Sequence, residues 1–169
     1  MSATVVDTNV ILVANGQHPG VSFGCVAACA LALQSVMRSG TLVLDDGFRI
    51  LTEYQKKTQP KKGNRPGDAF VKWALNNRCT AKWVDQVTLQ EHDERGFESF
   101  PDDQELAEFD DSDRKFVAVS GAHPGKPSIA QAADSKWLDW APALKRHGIA
   151  VAFLCQPDIE GFHKNKFGA

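Results

Sequence analysis

Four acids in this chain stand where a carboxylate can do chemistry rather than simply face water. Asp7 closes the short β-branched run Ala3-Thr4-Val5-Val6 and is followed by a hydroxyl and an amide, Thr8 and Asn9. Glu53 lies in Arg49-Ile50-Leu51-Thr52-Glu53-Tyr54, Asp113 opens the run Arg114 to Val119, and Asp134 follows the small-residue run Ser128 to Ala133. A buried strand that ends in polar groups opens onto a pocket, and in parallel α/β sheets that end is where ligands bind. Carboxylates gathered within a few ångströms repel one another. Such a cluster persists when it holds hard divalent cations, and Mg²⁺ or Mn²⁺ takes oxygen ligands of this kind. Two such ions about 4 Å apart activate water and stabilise the leaving oxygen of a phosphodiester. Taken singly, each acid is equally well a turn or helix cap, and Asp46, Asp110, Asp111 and Asp139 read as caps or as solvated charges. The recurrence of Asp7, Glu53, Asp113 and Asp134 at comparable places favours chemistry.

Alternating strands and helices would bring these acids together. Turn residues from Asn15 to Gly20 follow the first strand, and an Ala- and Leu-rich helix from about Val21 to Ser39 stops at Gly40. Thr41 to Asp45 reads as a second buried strand, and a helix opens at Asp46-Gly47 and runs through Tyr54. A further helix is expected from Asp68 to Asn77, then an irregular strand from Trp83 to Leu89. The acidic stretch Glu91 to Asp111 reads as a mostly solvated loop. A helix from Asp113 to Gly121, a strand from Ser128, and a helix from Trp137 to Arg146 limited or kinked by Pro142 complete the pattern. Ile149 to Cys155, apolar throughout, reads as a central parallel strand. The expected fold class is α/β, a three-layer α/β/α sandwich around a central, mainly parallel sheet. No repeat or linker divides residues 1–169, so one domain is expected.

Composition narrows the function classes. Apolar residues make up 43% and charged residues 24%, ordinary for a globular domain, and the net charge of −2 leaves nucleic-acid contact to a local patch. The charge-free stretch Val21 to Met37 is short and carries Ser22, Gly24, Gln34 and Ser35, so a buried helix explains it better than a membrane span. The N-terminus has no basic region or small-residue cleavage site, which argues against a signal peptide. Four cysteines are too few for a disulfide scaffold at this length, and Cys25 and Cys29, spaced i, i+4, read as buried thiols. A reducing, cytoplasmic compartment is the expectation.

The residues also carry a resemblance. Val5-Val6-Asp7-Thr8-Asn9-Val10-Ile11-Leu12 resembles the opening of PIN-domain proteins, metal-dependent ribonucleases that include toxins of bacterial toxin–antitoxin pairs. Glu53 on the second helical segment, Asp113 at the head of a later helix, and Asp134 in Gln131 to Trp137 match the family's later acids in order. The resemblance spans about Ala3 to Cys155, with an insertion-like segment at about 56–109. It implies a PIN-like fold and an endoribonuclease that hydrolyses RNA with metal-activated water. Asp7, Glu53, Asp113 and Asp134 would be both catalytic and metal-binding, through Mg²⁺ or Mn²⁺, with Asn9, Asp110 and Ser135 supporting them. It further implies an RNA substrate and leaves an antitoxin partner and a homodimer open. Ala132 departs from the usual hydroxyl, and Lys136 from a further aspartate, which bears on a second metal.

Lys56, Lys57, Lys61, Lys62 and Arg65 follow Glu53 closely and suit the phosphates of a bound strand, or else form a solvated loop. His163, Lys164 and Lys166 could help with the same phosphates, or else form a disordered tail. A phosphatase of the haloacid-dehalogenase type would want an aspartate at position 9, where Asn9 stands. A receiver-like domain would want a lysine after the last strand, where Gln156-Pro157 stands. The rival of another class is a PIN-like module that binds RNA or protein without cutting.

Overall fold

The structure, a computed structural model, describes residues 2–168. Strand β1 (Ala3–Val6) turns directly into α1 (Thr8–Ala14), and α2 (Phe23–Ser39) returns the chain to β2 (Thr41–Asp45). Helices α3 (Arg49–Lys57) and α4 (Pro66–Asn77) then lead to β3 (Val84–Val87). A small antiparallel hairpin, β4 (Glu91–His92) and β5 (Gly96–Phe97), precedes two 3₁₀ turns, Gln104–Leu106 and Asp111–Asp113. After α5 (Arg114–Ala122) come β6 (Ser128–Gln131), α6 (Lys136–Arg146), β7 (Val151–Phe153) and α7 (Gln156–Phe167).

The five long-range strands pair in the order β3-β2-β1-β6-β7, all parallel. Parallel neighbours need crossovers, and right-handed crossovers place α1 to α4 on one face and α5 and α6 on the other. The result is the expected three-layer α/β/α sandwich. The chain moves outward from β1 through β2 to β3, then returns to the other side of β1 at β6. The order therefore reverses between β1 and β6, the crevice where α/β sheets bind ligands. Val5, Leu42, Val43, Leu44 and Ile129 are wholly inaccessible, as strands covered on both faces must be.

Local signals agree with this frame. Ser22 accepts the Cys25 N–H at 3.1 Å and caps α2, whose exit at Gly40 is pressed against Val36. Asp45 caps α3, accepting the Arg49 and Ile50 N–H groups at 2.9 and 3.1 Å. Gly67 lets α4 lie on α1, because a Cβ there would sit 2.5 Å from the Ile11 carbonyl.

Several expectations need correction. The apolar run Ile149 to Cys155 yields only the three-residue β7, at the sheet edge and half-exposed rather than central. Its hydrophobicity reflects the turn into α7, where Cys155 is buried. The tail read as disordered is α7, carrying His163, Lys164 and Lys166. Cys25 is not a free thiol: it is disulfide-bonded to Cys155, while Cys29 is a buried free thiol and Cys79 an exposed one. Spacing along one helix cannot reveal a partner 130 residues away. Among the described residues no helix is long and apolar enough to cross a membrane.

The acidic stretch is the other correction. Its acids are largely exposed, but Phe100, Leu106 and Phe109 are buried in the core. Arg114, at the head of α5, holds the stretch in place. Its guanidinium donates to the carbonyls of Phe109 (3.2 Å), Arg95 (3.0 Å) and Ala107 (3.0 Å) and lies 4.6 Å over the Phe100 ring. Gly121 lets α5 approach the same stretch, since a Cβ would lie 2.4 Å from the Ser99 carbonyl. Truncating a buried guanidinium leaves carbonyls without donors, so Arg114→Ala is expected to cost about 2–4 kcal/mol. Urea denaturation checks this, and limited proteolysis should cut the variant first between residues 91 and 111. A loss under about 0.5 kcal/mol, the range of an ordinary surface change, would contradict it.

Candidate metal centre

Asp7 continues the β1 ladder and starts α1 in a single residue. Its N–H donates to the Ala130 carbonyl at 3.1 Å, and its Oδ1 accepts the Asn9 N–H at 2.8 Å as the cap of α1. The other oxygen, Oδ2, is buried and has no hydrogen-bond partner. Burial drives the Asp7 carboxyl well above the usual carboxylate range, and Asp113, Asp134 and Glu53 add to the rise, against the Asn9 hydrogen bond. The Asn9 side chain does not reach Asp7. Its Oδ1 accepts the Ala133 N–H at 2.6 Å, so it straps the end of β6 to α1 beside the acids.

The end of β6 supplies Asp134, whose Oδ1 accepts the Lys136 N–H at 3.2 Å where α6 begins. Ser135 heads α6, buried and without a capping bond from its side chain. The 3₁₀ turn before α5 brings in Asp113 and Asp110, the Asp113 N–H donating to the Asp110 carbonyl at 3.0 Å. Spacing i, i+3 stacks two side chains on such a turn. Carboxylate oxygens of Asp110, Asp113 and Asp134 all lie within 4.8 Å of one another. Asp110 was read as a cap or solvated acid as well as a supporting residue. It makes no capping bond, and its carboxylate stands in the cluster.

Glu53 reaches the same edge from α3 and is held at both oxygens. Thr8 Oγ1 donates to Oε2, and Lys115 Nζ donates to Oε1 at 2.9 Å. Beneath it the Tyr54 hydroxyl donates to the Val6 carbonyl, anchoring α3 under the residue before Asp7. Nothing in the sequence singles out Lys115 or Tyr54 or gives Thr8 this role, although each lies within two residues of one of the four acids. Lys136 was noted only as a departure, yet its Nζ lies 3.0 Å from Asp110. Its ammonium is held above its ordinary range, chiefly by that hydrogen bond. The centre thus gathers Asp7, Glu53, Asp110, Asp113 and Asp134 against two ammonium groups, those of Lys115 and Lys136.

No family model matches this chain, and no curated protein or solved structure matches it. The chemistry of the site rests on its own residues. An oxygen-only donor set with excess negative charge and one orphaned buried oxygen fits a hard divalent cation.

The basic stretch divides. Lys56, Lys57, Lys61 and Lys62 are exposed, but Arg65 is occupied, its Nε donating to Asp68 at 2.9 Å. Asp68 also accepts from the Gln59 N–H and Asn15 Nδ2, at 2.9 and 3.0 Å. Burial would raise its carboxyl, but these bonds outweigh burial and hold it below the ordinary value. Arg65 therefore braces the loop through Asp68 while its side chain stays partly exposed.

Burial first, then Asp134 and Glu53, push Asp113 from 3.8 up to about 6. A carboxyl with a raised folded pKa binds its proton more tightly in the folded chain. Stability is therefore gained as pH falls through about 6, completed near 3.8, and missing above that window. Metal-free protein in EDTA should melt higher at pH 5 than at pH 7, and Asp113→Asn should raise melting at pH 7 and flatten the slope. A slope that Asp113→Asn leaves unchanged would contradict this account of the cluster.

Proposed function

We propose that this chain is a Mg²⁺- or Mn²⁺-dependent endoribonuclease of PIN type, in which Asp7, Glu53, Asp113 and Asp134 hold the metal. The observation that carries the reading is the Asp7 Oδ2 atom, buried, without a donor, and surrounded by further carboxylates. A buried acid in like-charged company is costly unless protonated or bound to a cation. Its place at the reversal of strand order supports a binding role. When bound, such a cation lowers the pKa of coordinated water and neutralises charge at a phosphate.

The chain's own groups would then act as positioners. Thr8 and Lys115 fix both oxygens of Glu53, Asn9 fixes β6 behind Asp134, and the α1 cap fixes Asp7. Lys56, Lys57, Lys61 and Lys62, on α3 and the loop after it, offer exposed charge for an RNA backbone. The reading carries with it an RNA substrate and a cytoplasmic setting, and leaves an antitoxin partner and a homodimer open. A second reading, a non-cutting module, draws support from Lys136 and Lys115, which already pair with Asp110 and Glu53.

Melting separates these readings first. Mn²⁺ at a hundred times its dissociation constant should add about 2.7 kcal/mol, a rise of roughly 5–10 °C at this size, and Asp7→Asn should remove the rise. Single-stranded RNA should be cut only with added metal, and Asp7→Asn and Asp113→Asn should each reduce cutting to the EDTA level while remaining folded. Cutting that survives both EDTA and Asp7→Asn would overturn the mechanism. RNA binding with neither a Mn²⁺ melting shift nor cutting would establish the second reading.

A further inference from the structure

Three cysteines meet where α7 joins α2. Cys25 and Cys29 stand one turn apart on α2, and Cys155 precedes α7. Cys25 and Cys155 are bonded, with Cα atoms 5.1 Å apart, and the Cys29 sulfur lies 3.8 Å from the Cys155 sulfur. All three are buried. Apart from this link α7 is lightly held. Ile159 is its one fully buried side chain, Asp158 accepts from Ser22 N–H and Oγ at 2.7 and 2.8 Å, and His163 lies 2.9 Å from Asp139 on α6. Lys164 and Lys166 are exposed.

We propose that Cys155 is a redox-switchable anchor that holds α7 against α2 and can pair with either Cys25 or Cys29. Reduction by a dithiol breaks the Cys25–Cys155 bond. Two electrons and two protons pass to the two sulfurs, and the dithiol leaves as its own disulfide. The alternative pairing needs no outside oxidant. The Cys29 thiolate attacks the Cys155 sulfur, the Cys29–Cys155 bond forms, and Cys25 departs as a thiolate that takes up the proton lost from Cys29. Burial, with Asp158 nearby, pushes the Cys29 thiol up to about 12, so it rests unreactive while α7 is seated. Exchange and reduction therefore wait on local opening of α7, the motion its thin packing permits.

The test uses the full chain with Cys79→Ser, which removes the exposed thiol. Peptide mapping without reductant should find Cys25 joined to Cys155. Cys25→Ser treated with oxidised glutathione, which takes up the two electrons and two protons as two thiols, should instead join Cys29 to Cys155, and Cys155→Ser should show neither link. Hydrogen exchange of amides 156–168 should quicken by about tenfold or more on reduction, while β1 and β6 stay protected. Unchanged exchange at 156–168, or no Cys29–Cys155 link in Cys25→Ser, would overturn the anchor.

Discussion

Like-charge repulsion at the carboxyl edge of the sheet is the constraint around which this molecule is arranged. Asp7 is placed there because the β1 ladder and the first turn of α1 share a residue, which leaves one of its oxygens capping and the other buried without a donor. Asp134 arrives at the same edge because β6 pairs with β1 in parallel, Val6 opposite Ala130. Neither placement can be relaxed without giving up the central strand pair. The fold therefore holds its acids together by the same pairing that holds the sheet together.

The surroundings show how the repulsion is managed without removing it. Lys115 and Lys136 each neutralise one acid, Glu53 and Asp110, and Thr8 adds a neutral donor to Glu53. Asp7 and Asp113 receive no such partner, and theirs are the carboxyls driven furthest upward. The uncompensated charge lies toward the interior end of the cluster, where a cation would gain most from reduced solvent screening. Asp68 makes the contrast plain. Equally inaccessible, it is surrounded by donors from Arg65, Gln59 and Asn15 and stays ionised as a structural strut. Burial alone does not mark a functional acid; burial without donors does.

The stretch from 91 to 111 and helix α7 frame this edge by opposite means. The first is held by a buried guanidinium and aromatic contacts, Phe109 lying 5.0 Å from Trp137 and 4.3 Å from Trp140 between ring centres. The second is held by one buried isoleucine, the partly buried Phe162, a few polar contacts and a covalent bond. A segment fixed by packing opens only with the core, whereas a segment fixed largely by one bond opens when that bond is broken.

The order of strands and helices was legible in the chain because short β-branched runs alternate with helical periodicity and with turn residues. The four acids stood out because Asp7 and Asp134 follow strands, Asp113 begins a helix, and Glu53 lies on the helix after the second strand. Other features depend on partners distant in sequence. Asp110 looks like a cap until the 3₁₀ turn folds its carboxylate toward Asp134, and Arg65 looks like a free cation until Asp68 takes it. Ile149 to Cys155 looks central because hydrophobicity cannot tell an edge strand from a buried turn. Cys25 carries no mark of Cys155. Local pattern depends on backbone geometry within a few residues, so the sequence by itself determined the elements and the acids they end in. Pairing, charge compensation and the disulfide depend on which distant groups share one volume, and that only the tertiary structure decided.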